Sequence, residues 1–269
     1  DQVQVTDEAI EAMISGYTRG AGVWDLADAL AKVCAKVVCR RAEGNEAPVE
    51  VAPETLAGML GPPSHRKAEV AARTGRPGVA LGLSLGTMAG GGVLFVEVGR
   101  MPGTGALTLT GGLGEVMRES ARVALSWVRA NAARYSIDPR YHRGADIHVH
   151  VQARATRKDG ASAGVAMVAA MVSALTGRVV RGDLAMTGEI TLSGQVLPVG
   201  GIREKVLAAH RYDLTSIILP SQNRKHVEEL DEDFRRAVHV HYVAQVEDLL
   251  DWALRRPASS AVTLAGPAP

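Results

Sequence analysis

The chain has 269 residues, 46% of them hydrophobic, and 30 basic residues against 29 acidic ones, for a net charge of +1. Such a composition excludes a disordered main body, and it supplies no global charge of the kind that nucleic acid or an anionic membrane would select. The only two cysteines, Cys34 and Cys39, sit on different faces of one predicted helix. They form neither a disulfide framework nor a metal site, and they point to a reducing compartment. No signal peptide and no apolar run of membrane-spanning length is present, so a cytoplasmic protein is expected. A first residue Asp1 in place of Met reads as a fragment of something longer.

In chain order, Thr6-Asp7-Glu8 is a helix start, with a capping hydroxyl, an acidic first turn, and Ile10, Met13, Ile14 and Tyr17 at helical spacing. Arg19-Gly20-Ala21-Gly22 stops that helix. A second carries Leu26, Ala29, Leu30, Val33 and Val37 on one face, and a third begins near Pro53 with Leu56, Met59 and Leu60. Residues 1–61 are thus expected to form a small all-helical subdomain. Residues 62–78, with Arg66, Lys67, Arg73 and Arg76 and no apolar periodicity, read as a solvated linker.

From residue 79 the writing is α+β. Val79, Leu81, Leu83 and Leu85 alternate, Gly90-Gly91-Gly92 turns the chain, and a second strand over 93–98 closes on Glu97. A third strand over 104–110 precedes a long helix over 115–135, broken at Asp138-Pro139. The strand 146–151 alternates strictly, with Ile147, Val149 and Val151 on one face and Asp146, His148 and His150 on the other. Residues 165–175 are almost wholly apolar and poor in β-branched side chains for a strand, which predicts a helix buried on every side. Further expectations are a strand at 183–186, a hairpin over 190–197, a helix over 202–210, a strand at 216–219, a helix over 222–230, a strand over 238–242 and a closing helix over 245–254. The Ala-, Pro- and Ser-rich tail 257–269 is expected to be disordered.

Chemistry concentrates before the buried helix, in Arg157-Lys158-Asp159-Gly160-Ala161-Ser162-Ala163-Gly164. Ser162 falls in the first turn, where unpaired N–H groups and partial positive charge suit a nucleophile whose attack creates an oxyanion. A plain helix cap or a phosphate cradle fits the same residues. A serine nucleophile needs a base. His148 and His150 lie a short loop upstream, without a legible carboxylate partner for a triad. Lys205, beside Ile202, Val206 and Leu207, is in surroundings that lower a lysine pKa by disfavouring its charge. A surface lysine is the plainer reading of that residue alone.

Four segments carry a resemblance: Lys-Asp-Gly-Ala-Ser-Ala-Gly at 158–164, Ala-Met-Thr-Gly-Glu-Ile-Thr-Leu at 185–192, Gly-Gln-Val-Leu-Pro-Val-Gly-Gly at 194–201, and Arg-Glu-Lys-Val-Leu-Ala-Ala-His-Arg at 203–211. With Met101-Pro102-Gly103, residues 107–111 and Asp146-Ile147-His148-Val149-His150, they closely resemble the proteolytic domain of the Lon proteases. Tyr17-Thr18-Arg19 and Ala21-Gly22-Val23 resemble the helical subdomain that ends the family's ATPase module.

The resemblance implies the fold of ribosomal protein S5 domain 2 over 79–256. It implies a Ser-Lys dyad with Ser162 as nucleophile and Lys205 as base, and Thr187 orienting the amine. Asp159, His148, His150 and Glu97 match family positions around the site. Their plainer readings are loop structuring for Asp159, sheet-face packing for the histidines and a strand-end or intersubunit salt bridge for Glu97. His148 and His150 supply two metal-ligand nitrogens without a third, and no metal or other cofactor is expected for peptide hydrolysis. Unfolded polypeptides as substrates and a homohexameric ring follow from the resemblance, with neither membrane nor nucleic acid as partner.

Departures bear on regulation. Ala161 stands where the family has proline, and residues 152–157 read Gln-Ala-Arg-Ala-Thr-Arg where it has a proline-bearing segment. Trp24 replaces an arginine that senses ATP, and reads as a packing residue. No G-x-x-x-x-G-K-[ST] motif occurs, so ATP and magnesium enter only through an ATPase core outside this chain. The expectation is a serine endopeptidase, either the C-terminal part of an ATP-dependent enzyme or a Lon-like branch that works without ATP. The alternatives are a non-catalytic ring-forming scaffold and a small-molecule kinase of the galactokinase type.

Overall fold

The computed structural model describes residues 3–18, 23–45, 47–63, 66–85, 91–152 and 159–255. The turn at 19–22, Gly90, residues 153–158 with Lys158, and the tail 257–269 lie outside the described residues.

The N-terminal subdomain runs β1 (Val3–Val5), α1 (Asp7–Tyr17), α2 (Trp24–Ala42), β2 (Val49–Val51) and α3 (Pro53–Leu60). Thr6 caps α1, its hydroxyl accepting from the Ala9 N–H at 3.1 Å. Ala9, Met13, Val33, Val37, Leu56 and Met59 form a separate small core. The helices stand where the apolar spacing put them. The subdomain is not purely helical, because β1 and β2 pair in parallel, Val3 beside Val49 and Val5 beside Val51. Val51 is buried in that core, which gives the short ribbon its anchor. Trp24 is 85% exposed at the start of α2, so its reading as a packing residue is corrected.

The segment expected to be a linker contains a helix, α4 (Arg66–Arg73). Its Val70 is buried in the core that lies on one face of the main sheet. One valine among alanines and charges carries no visible period, yet it docks the helix.

The sheet and its helices follow as β3 (Val79–Ser84), β4 (Gly92–Pro102), β5 (Leu107–Thr110), α5 (Glu115–Ala130), β6 (Ala145–Val151), α6 (Gly164–Thr176), β7 (Leu184–Met186), β8 (Glu189–Ile190), β9 (Val196–Leu197), α7 (Ile202–Arg211), β10 (Ser216–Pro220), α8 (Arg224–Glu228), α9 (Glu232–Ala237), β11 (His239–Val243) and α10 (Val246–Ala253). Seven strands form one mixed sheet in the order β11-β10-β7-β3-β4-β6-β5. β3, β4 and β6 pair antiparallel, whereas β7, β10 and β11 add in parallel on one side and β5 on the other. The long helix ends at Ala130 and is continued by a tighter turn at Ala132–Tyr135. β4 extends to Pro102, so Glu97 is mid-strand, opposite His150 of β6, and its strand-end reading is corrected.

α6 is buried all round, from Gly164 to Ser173, as its composition predicts. It packs on β3 and β4 beneath α5 and α10, in a core with Leu94, Val96, Val98, Ile147, Val149 and Val151. The alternating residues Leu81, Leu83 and Phe95 face the other way and meet Ile202, Val206 and Ala209 of α7. The sheet is therefore the middle of three layers. α6 leads from one outer layer and α7 forms the other, and β7 ends between them.

Candidate active site

Ser162 enters on a tight helical turn, Ala161–Ala163, that runs directly into α6. Gly160 before it has φ 127°, a conformation that L side chains rarely adopt. Asp159 fixes the approach. Its Oδ1 accepts from the Met117 N–H at 3.1 Å and from the Gly160 N–H at 2.9 Å, capping α5 from outside the helix. The structuring role read for Asp159 is thus a tertiary cap.

The serine turn is clamped to the end of β7. The Ser162 carbonyl accepts from the Gly188 N–H at 2.9 Å and from the Thr187 hydroxyl at 3.2 Å. Gly188 is obligatory by space, since a Cβ there would lie 2.8 Å from Val196 and 3.0 Å from Val165. Gly164 likewise admits Ser120, whose hydroxyl donates to the Ala161 carbonyl at 3.3 Å.

Lys205 is on the second turn of α7, whose N-cap Gly201 has φ 67° and no room for a Cβ beside Leu85. The residue is 2% exposed. Its Nζ donates to Thr187 Oγ1 at 3.0 Å, and Thr187 is itself fully buried. A hydroxyl has one proton, and here it goes to the Ser162 carbonyl. Thr187 must therefore accept from the amine, which turns one N–H of Lys205 toward Thr187 and leaves the other directions open. Burial pushes the amine down from 10.5 to about 8, against a weaker upward pull from the Glu204 carboxylate.

Sequence reasoning missed Asn223. It is fully buried, and its amide pairs with the backbone of Val199 in both directions, accepting the N–H at 2.9 Å and donating to the carbonyl at 2.9 Å. This fixes the segment that delivers α7, and so Lys205. The only signal available was an asparagine after Pro220-Ser221-Gln222, which reads as a turn.

The other expected residues gather elsewhere. His148 Nε2 and His150 Nδ1 both meet the Thr110 hydroxyl, at 2.9 and 2.8 Å. Glu97 pairs with Arg73 at 2.6 Å. These three residues line a groove of about 330 Å³ together with Arg76 and Met101, and Ser162, Thr187 and Lys205 are not part of its lining. Thus hydrogen bonds link Ser162, Thr187 and Lys205, Asp159 fixes the chain three residues before the serine, and His148, His150 and Glu97 line one groove. Among the described residues no group of three or more His, Cys, Asp or Glu side chains is arranged to hold a metal ion. No described helix is long and apolar enough to cross a membrane.

Residues 50–256 match the family model of the Lon protease (S16) C-terminal proteolytic domain, and residues 1–49 match that of the Lon protease AAA+ ATPase lid domain. The chain is 48% identical over 97% of its length to a Lon protease of Methylocella silvestris. It is 43% identical over 99% to Lon protease 2 of Sorangium cellulosum, and 47% identical over its whole length to a Lon protease of Salinispora arenicola. It covers 32%, 33% and 34% of those proteins, so it spans about a third of the relatives it matches. The chain belongs to the Lon protease family, with the lid module leading into the proteolytic domain.

Proposed function

We propose that the chain is a serine endopeptidase in which Ser162 is the nucleophile and Lys205 the general base. The observation that carries this is the buried Lys205 amine, shifted to about 8 and tied through the Thr187 hydroxyl to the Ser162 carbonyl. A neutral amine accepts the Ser162 proton as Oγ attacks the peptide carbonyl carbon. The oxyanion forms at the start of α6, where the first N–H groups of the helical turn have no intrahelical partner. The protonated lysine then gives its proton to the leaving amine, and an acyl ester remains on Ser162. Water, deprotonated by Lys205, cleaves that ester and restores the serine.

Unfolded polypeptides as substrates, a cytoplasmic setting and a homohexameric ring are the expectations that family membership adds. ATP and magnesium enter only if an ATPase core accompanies this chain.

The test is hydrolysis of casein by the chain, with and without ATP and magnesium, beside S162A and K205A. Cleavage in the parent chain that both substitutions abolish is the expected result. Unchanged cleavage in either variant removes the dyad. A folded parent chain that cleaves nothing in either condition favours the scaffold reading.

A further inference from the structure

Arg73 closes α4, and its guanidinium is engaged on several sides at once. Cζ lies 3.8 Å from the Phe95 ring centroid. Nη2 donates to Glu97 Oε1 at 2.6 Å, Nη1 lies 3.5 Å from Glu69 Oε1, and Nη1 also donates to Gln152 Oε1. Gln152 is the first residue after β6 and donates its own N–H to the Phe95 carbonyl at 3.3 Å. Beyond it the chain proceeds to Asp159, Gly160 and the serine turn.

The segment that carries Ser162 is therefore fastened at two described points. Asp159 is held by α5, a helix of the same core as α6. Gln152 is held by an arginine of α4, the helix between the N-terminal subdomain and the sheet. Glu97 and Glu69 already compensate the Arg73 charge. The bond to neutral Gln152 adds no compensation, so what it fixes is direction. Arginine suits the task because its planar fork stacks on Phe95 and still presents separate N–H groups to Glu97 and Gln152.

We propose that Arg73 is a positioning residue for Ser162, acting through Gln152, and that α4 thereby bears on catalysis from outside the active site. This rests on the peptidase reading of Ser162. Lysine can keep the charge beside Glu97 but cannot stack and fork, so R73K separates charge from direction.

R73K and Q152A are each expected to lower kcat on a fluorogenic peptide about tenfold, with KM unchanged within about twofold. The double variant falls no further than either single one, because both cut the same link. R73K keeps its melting temperature within about 2 °C of the parent. A merely structural arginine gives the opposite result: R73K retains the parent kcat, and this overturns the proposal. A second arm needs no peptidase activity. In an S162A background, trypsin cleavage after Arg154 and Arg157 is expected to be several-fold faster with R73K or Q152A. Unchanged cleavage there overturns the link. Faster cleavage in a chain whose parent hydrolyses nothing supports the link and removes the peptidase reading instead.

Discussion

The two sides of the site are held by different forces. On the lysine side the α7 layer excludes water: Lys205 is 2% exposed, Thr187 and Asn223 are fully buried, and the amine's hydrogen bond goes to a neutral hydroxyl. On the serine side the anchors are charged and wetter: the exposed Asp159 caps α5, and Arg73 bridges Glu97 and Gln152. A buried cation given a neutral partner keeps a depressed pKa and can exchange a proton near neutrality. A cation given carboxylates is fixed as a strut. The contrast predicts that substitutions on the lysine side change chemistry most and can even raise stability, whereas on the serine side loss of the Asp159 cap mostly costs stability and loss of the Arg73 link costs a smaller part of kcat.

The largest effect is expected at Lys205. K205M fills nearly the same volume without a charge to desolvate, so peptide hydrolysis is lost while the fold gains stability. The sign follows from linkage. The native amine titrates near 8 and the unfolded one near 10.5. Below pH 8 both states hold the proton, and the native state bears the full cost, on the order of 3 kcal/mol as an upper figure. Between pH 8 and 10.5 the unfolded state holds more protons, so parent stability rises with pH and the advantage of K205M shrinks. Urea melts of parent and K205M at pH 7 and pH 10 read this directly. A K205M that is less stable at pH 7 would mean that the amine has stabilising partners, and the comparison would break. In the parent, kcat/KM is expected to rise tenfold per pH unit below about 8 and then level, because only the neutral amine accepts the serine proton.

Much of this arrangement was legible beforehand, and the missing part has a common cause. Ser162 stands in a segment whose glycines and apolar neighbours are dictated locally, and the turn and the buried α6 followed from adjacent residues. Lys205 alone read as a surface lysine, and the resemblance, not its neighbours, singled it out before its burial was seen. Arg73 and Asn223 did not follow from adjacent residues, because their partners lie far along the chain. Arg73 meets Gln152 and Glu97, and Asn223 meets Val199. A run of alanines and charges with one valine looks the same whether or not a sheet waits for that valine. The strands β1 and β2 are three residues each and show no period of their own. The family resemblance named His148, His150 and Glu97 together, and the register of β4 against β6 is what gathers them at one groove.

An intermediate effect is expected at Thr187, which belongs to both sides through its bonds to Lys205 and to the Ser162 carbonyl. T187V leaves the amine without its acceptor and the carbonyl with one donor fewer. A fall in kcat of about 10- to 100-fold is expected, with T187S returning to within a few-fold of the parent. Because an accepting hydroxyl favours the charged amine, its loss also moves the rise of the pH profile to lower pH. An unmoved profile with normal kcat would assign Thr187 to packing alone.

The smallest effect is expected on the serine side, at Asp159. D159A removes the acceptor for the Met117 N–H, and a lost helix cap costs about 1 kcal/mol. D159N keeps an acceptor oxygen but gives up the negative charge near the α5 N-terminus, so a loss of a few tenths of a kcal/mol is expected for it. The Ser162 turn keeps its clamp on Thr187 and Gly188 in both variants, so kcat should fall less than in T187V. Urea melts and peptide hydrolysis on the same preparations decide the matter. If D159A abolishes hydrolysis at unchanged stability, the carboxylate acts on the chemistry itself, and the division between a chemical lysine side and a structural serine side fails at that residue.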